Sequence, residues 1–200
     1  MLKAVTLGLL MVLATVTFSH ALTIKGVDLP DSLTVGDETL VLNGAGVRVK
    51  KIAGLIKKDL YVAGLYLKNK SADAQQIVDA DETMMLRIQI VSSLLTAERF
   101  KEATLTGFAE STKGNTAPIQ KEIDLFLNAF SDKIKEGDLF EIVYTKEVGV
   151  QVFKNGAKES TVTIPGMPLK KALFGIWLGE RSEDALKKLA QALLGEHAAK

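Results

Sequence analysis

The sequence predicts an α+β fold, in which a mainly antiparallel sheet carries helices layered on one face. Strand patterns concentrate in residues 22–67 and 138–164, and helical patterns lie between these two groups and after them. Strands and helices therefore do not alternate as they would in a parallel α/β fold. The dipeptide Asn155-Gly156 adds a strong signal for an antiparallel hairpin.

The segment Asn43–Leu67 predicts the central β-hairpin of this sheet. Apolar and polar residues alternate on both sides of a turn centred on Gly54-Leu55. This register opposes three pairs: Val47 with Val62, Val49 with Leu60, and Arg48 with Tyr61. A shift of one residue would turn every side chain to the other face of the sheet, so the agreement between both faces supports the register.

Arg48 and Tyr61 are the candidate ligand-binding residues. Opposed side chains in an antiparallel pair have Cβ atoms about 4.5–5.5 Å apart. Arginine offers a rigid fork of N–H donors and tyrosine adds an O–H, so the pair could bind an anion or a polar oxygen. The residues alone also allow a simpler arrangement, in which the guanidinium stacks on the phenol ring at a solvated sheet surface.

The remaining elements of the first half are predicted from periodicity and caps. Short strands are expected at Leu22–Lys25, Leu33–Val35 and Thr39–Leu42, followed by a flexible bend at Gly44-Ala45-Gly46. Four lysines flank the hairpin turn, where charges discourage unwanted strand pairing: Lys50, Lys51, Lys57 and Lys58. A short helix at Ala72–Val78 and a strand at Thr83–Val91 follow.

The second half is predicted to contain four helices and three strands. Thr96 caps one helix, and a second helix begins at Pro118 and stops at Gly137. The strands are expected at Asp138–Thr145, Val148–Lys154 and Ser160–Ile164. Leu169–Leu178 and a final helix capped by Ser182 complete the domain.

The first 21 residues have the pattern of a secretory signal peptide. Lys3 supplies the positive charge, Ala4–Phe18 is apolar, and Ser19-His20-Ala21 forms a small-residue cleavage site. Residues 22–200 are then one mature domain, which is long enough to bury a sizeable core. A membrane anchor is the alternative, although the apolar run is shorter than the roughly 20 residues of a spanning helix.

Composition excludes several classes of function. Without Lys3, 24 basic residues balance 24 acidic ones, so no basic excess indicates a nucleic-acid partner. The chain has no cysteine, and its histidines are His20 and His197. No cofactor, no ordinary zinc site and no Ser-His-Asp apparatus is expected. The absence of disulfides in an exported chain favours a bacterial periplasm, or secretion, after cleavage near Ala21.

Three motifs resemble the chalcone isomerase superfamily, most closely its bacterial exported branch. They are Gly44–Arg48, Tyr61–Leu67 and Ala172–Gly179. The resemblance covers nearly all of the mature chain. It implies an open-faced β-sandwich, in which a large antiparallel sheet carries helices and a ligand cleft lies between sheet and helices.

The resemblance also bears on catalysis. Plant members close a chalcone into a flavanone, and their arginine matches Arg48. The strand threonine of those enzymes falls on Tyr61, their helix tyrosine and asparagine fall near Arg99 and Thr106, and a Ser/Thr position falls on Ile176. Because those hydroxyl-bearing positions are altered, efficient isomerase activity is not expected.

A second branch of the superfamily binds fatty acids without catalysis, using an arginine and a tyrosine on neighbouring strands. Arg48 and Tyr61 match that pair. The resemblance therefore implies binding of a small amphipathic acid such as a fatty acid. The signal pattern predicts export, and no later segment is long and apolar enough to predict a stable membrane span in the mature chain. The alternatives are a ligand-free envelope protein that keeps only the fold, and an intramolecular lyase acting on a chalcone-like phenolic or enone. The sequence leaves the ligand and the oligomeric state open.

Overall fold

The structure is a computed structural model that describes residues 21–52, 56–180 and 182–195. The predicted signal peptide, apart from Ala21, and the turn at Gly54-Leu55 lie outside the described residues. Within them, the strands are β1 (Ala21–Ile24), β2 (Val27–Pro30), β3 (Ser32–Val35), β4 (Glu38–Ile52), β5 (Ile56–Leu67), β6 (Met84–Ile90), β7 (Leu139–Thr145), β8 (Gly149–Lys154) and β9 (Val162–Ile164). The α-helices are α1 (Ala74–Asp79), α2 (Ala97–Ser111), α3 (Gln120–Asn128), α4 (Met167–Leu178) and α5 (Asp184–Leu193).

Seven strands form one open sheet in which the spatial order follows the chain. The order is β3-β4-β5-β6-β7-β8-β9, and every neighbouring pair is antiparallel. Strands β1 and β2 form a separate two-stranded hairpin. The predicted α+β class and the antiparallel sheet are confirmed.

The two faces of the sheet are covered differently. Side chains alternate along β5, so Ala63 and Leu65 join a large core shared with the helices. Val62 and Tyr66 point to the other face, where they pack with Leu29 of the β1–β2 hairpin. The helices therefore occupy one face of the sheet, and the small hairpin covers part of the other.

The structure confirms two of the three predicted pairs of the central hairpin and corrects the third. Val47 pairs with Val62 and Arg48 pairs with Tyr61, but Val49 pairs with Asp59. Leu60 is therefore an extra residue in β5, as expected for a β-bulge. The Arg48 guanidinium donates to the Val49 carbonyl at 2.6 Å beside this irregularity.

The predicted bend at Gly44-Ala45-Gly46 is wrong, because these residues lie inside β4. A Cβ on Gly44 would lie 2.1 Å from the carbonyl oxygen of Ala192 in α5, and one on Gly46 would lie 2.8 Å from the Ala192 Cβ. The two glycines are needed because the helix backbone rests directly on the strand.

Three other details differ from expectation. Helix α3 ends at Asn128 instead of Gly137, and β2 was not predicted. The N-cap of α5 is Glu183, without a side-chain capping bond, and not Ser182. Thr96 does cap α2, since its hydroxyl accepts from the Arg99 amide.

Helix α4 buries a lysine within the core. Lys170 has no exposed surface, and its ammonium donates to three carbonyls at the end of α1, those of Ile77, Val78 and Ala80, at 2.9, 2.7 and 2.6 Å. It thus satisfies carbonyls that the end of a helix leaves without partners. Burial, helped by the neighbouring charge of Lys171, lowers the pKa of Lys170 to about 8.

Candidate functional site

A cavity of about 660 Å³ lies between the central hairpin and the helices. This volume falls within the range of small-molecule sites, roughly 300–1,000 Å³. Five elements contribute to its wall: β4, β5, α2, α4 and α5, together with the segments that lead into α2 and α5. The predicted cleft between sheet and helices is therefore present.

The inner wall of the cavity is apolar and its mouth is charged. Leu95, Phe100, Ile176 and Trp177 contribute buried side chains to the wall. The exposed rim carries both signs of charge, from Lys50, Lys51, Arg99, Glu102 and Glu110. An apolar interior with polar groups near its opening suits a ligand that has a hydrocarbon body and a polar head.

Arg48 and Tyr61 both line this cavity. They are directly opposed on β4 and β5, and both side chains are largely buried, with 12% of the Arg48 side chain and 7% of Tyr61 exposed. The hairpin therefore brings the two predicted residues together on the helix-covered face. The simpler arrangement, a stack on a solvated sheet surface, does not occur.

The Arg48 guanidinium is occupied by a carboxylate of the protein itself. Its two terminal nitrogens donate to the two oxygens of Glu183, at 2.9 and 2.8 Å. This bidentate pair of hydrogen bonds is the geometry in which arginine recognises carboxylates most strongly. Glu183 directly precedes α5 and remains 46% exposed, so the ion pair lies in the exposed part of the cavity lining.

Tyr61 is joined to the helix layer through Trp177. The indole Nε1–H of Trp177 donates to the Tyr61 hydroxyl at 2.9 Å, and the bond is buried. A buried tryptophan needs such a partner, because an unpaired N–H in an apolar wall is costly. The bond holds the phenol against α4 and fixes the wall of the cavity beside Arg48.

The other positions implied by the isomerase resemblance, Arg99, Thr106 and Ile176, also line the cavity. The Arg99 guanidinium bonds the Leu94 carbonyl at 2.8 Å, and the Thr106 hydroxyl donates to the Glu102 carbonyl within its own helix at 3.1 Å. Ile176 adds only methyl groups to the wall.

Sequence reasoning missed two functional positions. Glu183 was overlooked because its partner is 135 residues away, and no local pattern signals such a pair. Trp177 lies within the predicted helix Leu169–Leu178, and helical periodicity alone does not indicate a partner for its indole N–H. The need of a buried indole N–H for a partner was the signal that could have found it.

The part of the chain that the structure describes contains no group of three or more His, Asp or Glu side chains arranged to hold a metal ion. No helix in the described part of the chain combines the length and the apolar character needed to cross a bilayer.

Comparisons with known proteins agree with this architecture. The chalcone isomerase-like family model matches residues 21–195. The fold is similar to the crystal structure of a fatty-acid binding protein of Arabidopsis thaliana, with a TM-score of 0.68 and 20% sequence identity. That match covers 88% of this chain and 96% of the plant chain, and at this identity it shows the fold. A search of curated proteins finds no match.

Proposed function

This chain belongs to the chalcone isomerase-like family, and on that premise we propose that it is a non-catalytic binding protein for a fatty acid or a similar amphipathic acid. The ligand carboxylate would bind Arg48 beside Tyr61, and the hydrocarbon tail would occupy the apolar cavity. The structural similarity to a fatty-acid binding protein supports this choice of ligand class.

The observation that carries the proposal is the bond between Arg48 and Glu183. It shows that the guanidinium, within the cavity lining, already presents two N–H groups to a carboxylate. A ligand carboxylate that displaced Glu183 would gain the same two bonds. Glu183 would then turn outward, where its exposure allows water to solvate it.

The cavity explains why the ligand would need both a head and a tail. A charged head without Arg48 would be costly to bury, and burial of each methylene against the apolar wall contributes about 0.8 kcal/mol. Small organic acids would gain the ion pair but little of the hydrophobic term. We therefore expect affinity to rise with chain length until the cavity is filled.

Identification of a bound acid tests the proposal directly. Protein purified under mild conditions is analysed by native mass spectrometry, and its lipid extract is compared with that of the Arg48→Gln variant. A fatty acid bound to wild type and depleted in the variant is expected. Palmitate is then added to both proteins. If it binds to neither protein, or to both with equal affinity, the Arg48 site is not a fatty-acid site.

The ligand-free alternative is favoured by one observation, since Glu183 satisfies Arg48 without any ligand. The cavity beside the pair argues in the opposite direction, because a protein that kept only the fold would have no reason to leave it open. Native mass spectrometry also decides between these two functions.

We also propose that the protein is exported, to a bacterial periplasm or the medium, after removal of residues 1–21. The support is the charged, apolar and small-residue pattern of that segment. N-terminal sequencing of the protein recovered from a periplasmic fraction is expected to begin at Leu22. Recovery of a protein that begins at Met1 from the membrane fraction would support a membrane anchor instead.

A further inference from the structure

The end of the central hairpin extends beyond the rest of the sheet. Strand β6 pairs with β5 only from Tyr61 onward, and β3 pairs with β4 only up to Val41. The Leu60 carbonyl still accepts from the Val91 amide, but the described residues 50–52 and 56–59 have strand partners only in each other or in Val49. We call residues 50–52 and 56–58 the hairpin end.

The hairpin end holds two like-charge pairs. Lys50 lies directly opposite Lys58, and Lys51 lies opposite Lys57. Like charges in opposed positions destabilise an antiparallel pair. The adjacent acid, Asp59, is paired with Lys25 at 3.0 Å, so it does not offset these four charges. The local sequence therefore concentrates cations at the expense of its own strand pairing.

Exposed apolar side chains lie beyond the lysines. Ile52 and Ile56 are opposed to each other and are 37% and 55% exposed. Because both side chains are exposed, they contribute little to the core. Lys50, Lys51 and Ile52 also line the cavity, so this end of the hairpin forms one side of its mouth.

We propose that the hairpin end docks on an anionic phospholipid bilayer. The isoleucines would enter the boundary between headgroups and acyl chains, and the lysines would contact the phosphates around them. Each lysine near an anionic surface strengthens such binding about fivefold. The phosphates would also relieve the repulsion between the opposed lysines, which explains why the chain tolerates them.

Docking would bring the cavity mouth to the lipid surface. An amphipathic acid dissolved in the bilayer could then enter the cavity without crossing bulk water. This delivery step rests on the proposed fatty-acid function, whereas the docking itself does not depend on it.

Vesicle sedimentation tests the docking surface, using protein purified after expression of the full chain. Wild type is expected to bind phosphatidylglycerol vesicles and to bind phosphatidylcholine vesicles far less. Its binding to phosphatidylglycerol should weaken as added salt shortens the Debye length from about 10 Å to about 3 Å. Equal binding to both lipids, or no binding to phosphatidylglycerol, would overturn the proposal. The lysines would then serve only to discourage unwanted strand pairing.

A charge reversal isolates the hairpin end. Lys57→Glu/Lys58→Glu converts both like-charge pairs into opposite-charge pairs, so the hairpin should be at least as stable as in wild type. Its affinity for phosphatidylglycerol vesicles is expected to fall by at least about 25-fold. The control, Lys121→Glu/Lys158→Glu, makes the same charge change at exposed positions elsewhere and should retain most of the binding. An equal loss in both variants would mean that only net charge matters, and the docking surface would be wrong.

The apolar contribution is measured separately with Ile52→Ser/Ile56→Ser, which should weaken binding while leaving its salt dependence unchanged. Palmitate affinity without vesicles is measured for Lys57→Glu/Lys58→Glu and is expected to equal that of wild type. A protein that docks but binds no palmitate would refute the proposed ligand and leave the docking surface intact.

Discussion

Arg48 and Glu183 are joined by two hydrogen bonds, of 2.9 and 2.8 Å, across 135 residues of sequence. The bond links the central hairpin to the residue before α5, so one ion pair joins the two sides of the cavity mouth. Any anion that binds Arg48 in this geometry must compete with Glu183. Under the proposed function, ligand affinity is expected to depend on both residues, in opposite directions.

Replacing Arg48 tests the cationic side of this competition. Arg48→Gln is expected to weaken palmitate binding at least tenfold, because hydrogen bonds to charged groups contribute about 1.5–3 kcal/mol. Titration calorimetry gives the affinity. Arg87→Gln is the matched control, since Arg87 pairs with Glu141 on the other face of the sheet. A similar loss in both variants would point to a general charge effect.

Replacing Glu183 tests the acidic side. Glu183→Gln keeps the size of the side chain and removes its charge, so the ligand carboxylate should displace it more easily. Palmitate affinity is expected to rise about fivefold, since charge-assisted bonds are roughly twice as strong as neutral ones. Asp184→Asn removes a neighbouring charge that does not contact Arg48 and should leave affinity unchanged. A weaker affinity in Glu183→Gln would mean that this residue supports the ligand and does not compete with it.

Trp177 provides an intrinsic probe, because it is the single tryptophan of the sequence and lines the cavity. Palmitate is expected to change its fluorescence emission. Tyr61→Phe should also change the emission and lower the free energy of unfolding by about 1–3 kcal/mol, because the indole N–H loses its acceptor. Tyr144→Phe, at a phenol that bonds Asp81 instead, should leave the emission unchanged. If neither palmitate nor Tyr61→Phe changed the emission, the described hydrogen bond between Trp177 and Tyr61 would be contradicted.

Lys170 predicts a specific dependence of stability on pH. Its pKa falls from 10.5 to about 8 on folding, so between these values the unfolded chain binds more protons than the folded one. The free energy of unfolding should therefore rise with pH across this window. Lys170→Met should lack that rise and should be less stable at pH 7, where the ammonium is present, by about 3 kcal/mol, since three carbonyls lose their donor.

Urea unfolding at several pH values measures this difference. Lys171→Met is the control, because its side chain is exposed and forms only a surface ion pair with Asp79, which is worth about 0–1 kcal/mol. Parallel pH profiles for wild type and Lys170→Met would show that the lysine does not titrate in this range.

The order of strand and helix patterns was enough to predict the fold class, and local alternation was enough to predict the opposition of Arg48 to Tyr61. The period of two residues decides which face a side chain occupies, and both residues obey it. The bulge at Leu60 was missed because one inserted residue leaves the alternation on each side intact. Buried lysines are rare, so nothing in the sequence marked Lys170 as a core residue.

Contacts between distant segments account for the remaining errors. Gly44-Ala45-Gly46 was predicted to bend because glycine is common in bends, whereas the structure uses its small size against the backbone of α5. Asn43 shows the same dependence, since its amide bonds the Leu193 carbonyl 150 residues away. Such partners cannot be read from a local pattern.

The contact between Gly44 and α5 has a consequence for how mutations in this protein should be interpreted. A methyl group at this position would meet the carbonyl oxygens of Ala192 and Leu193 at 2.1 and 2.6 Å, so the helix would have to shift. Glu183 directly precedes that helix and would shift with it, loosening its hold on Arg48. A mutational survey that scored Gly44 only by thermal denaturation would thus record a folding defect and overlook a change in the ion pair between Arg48 and Glu183.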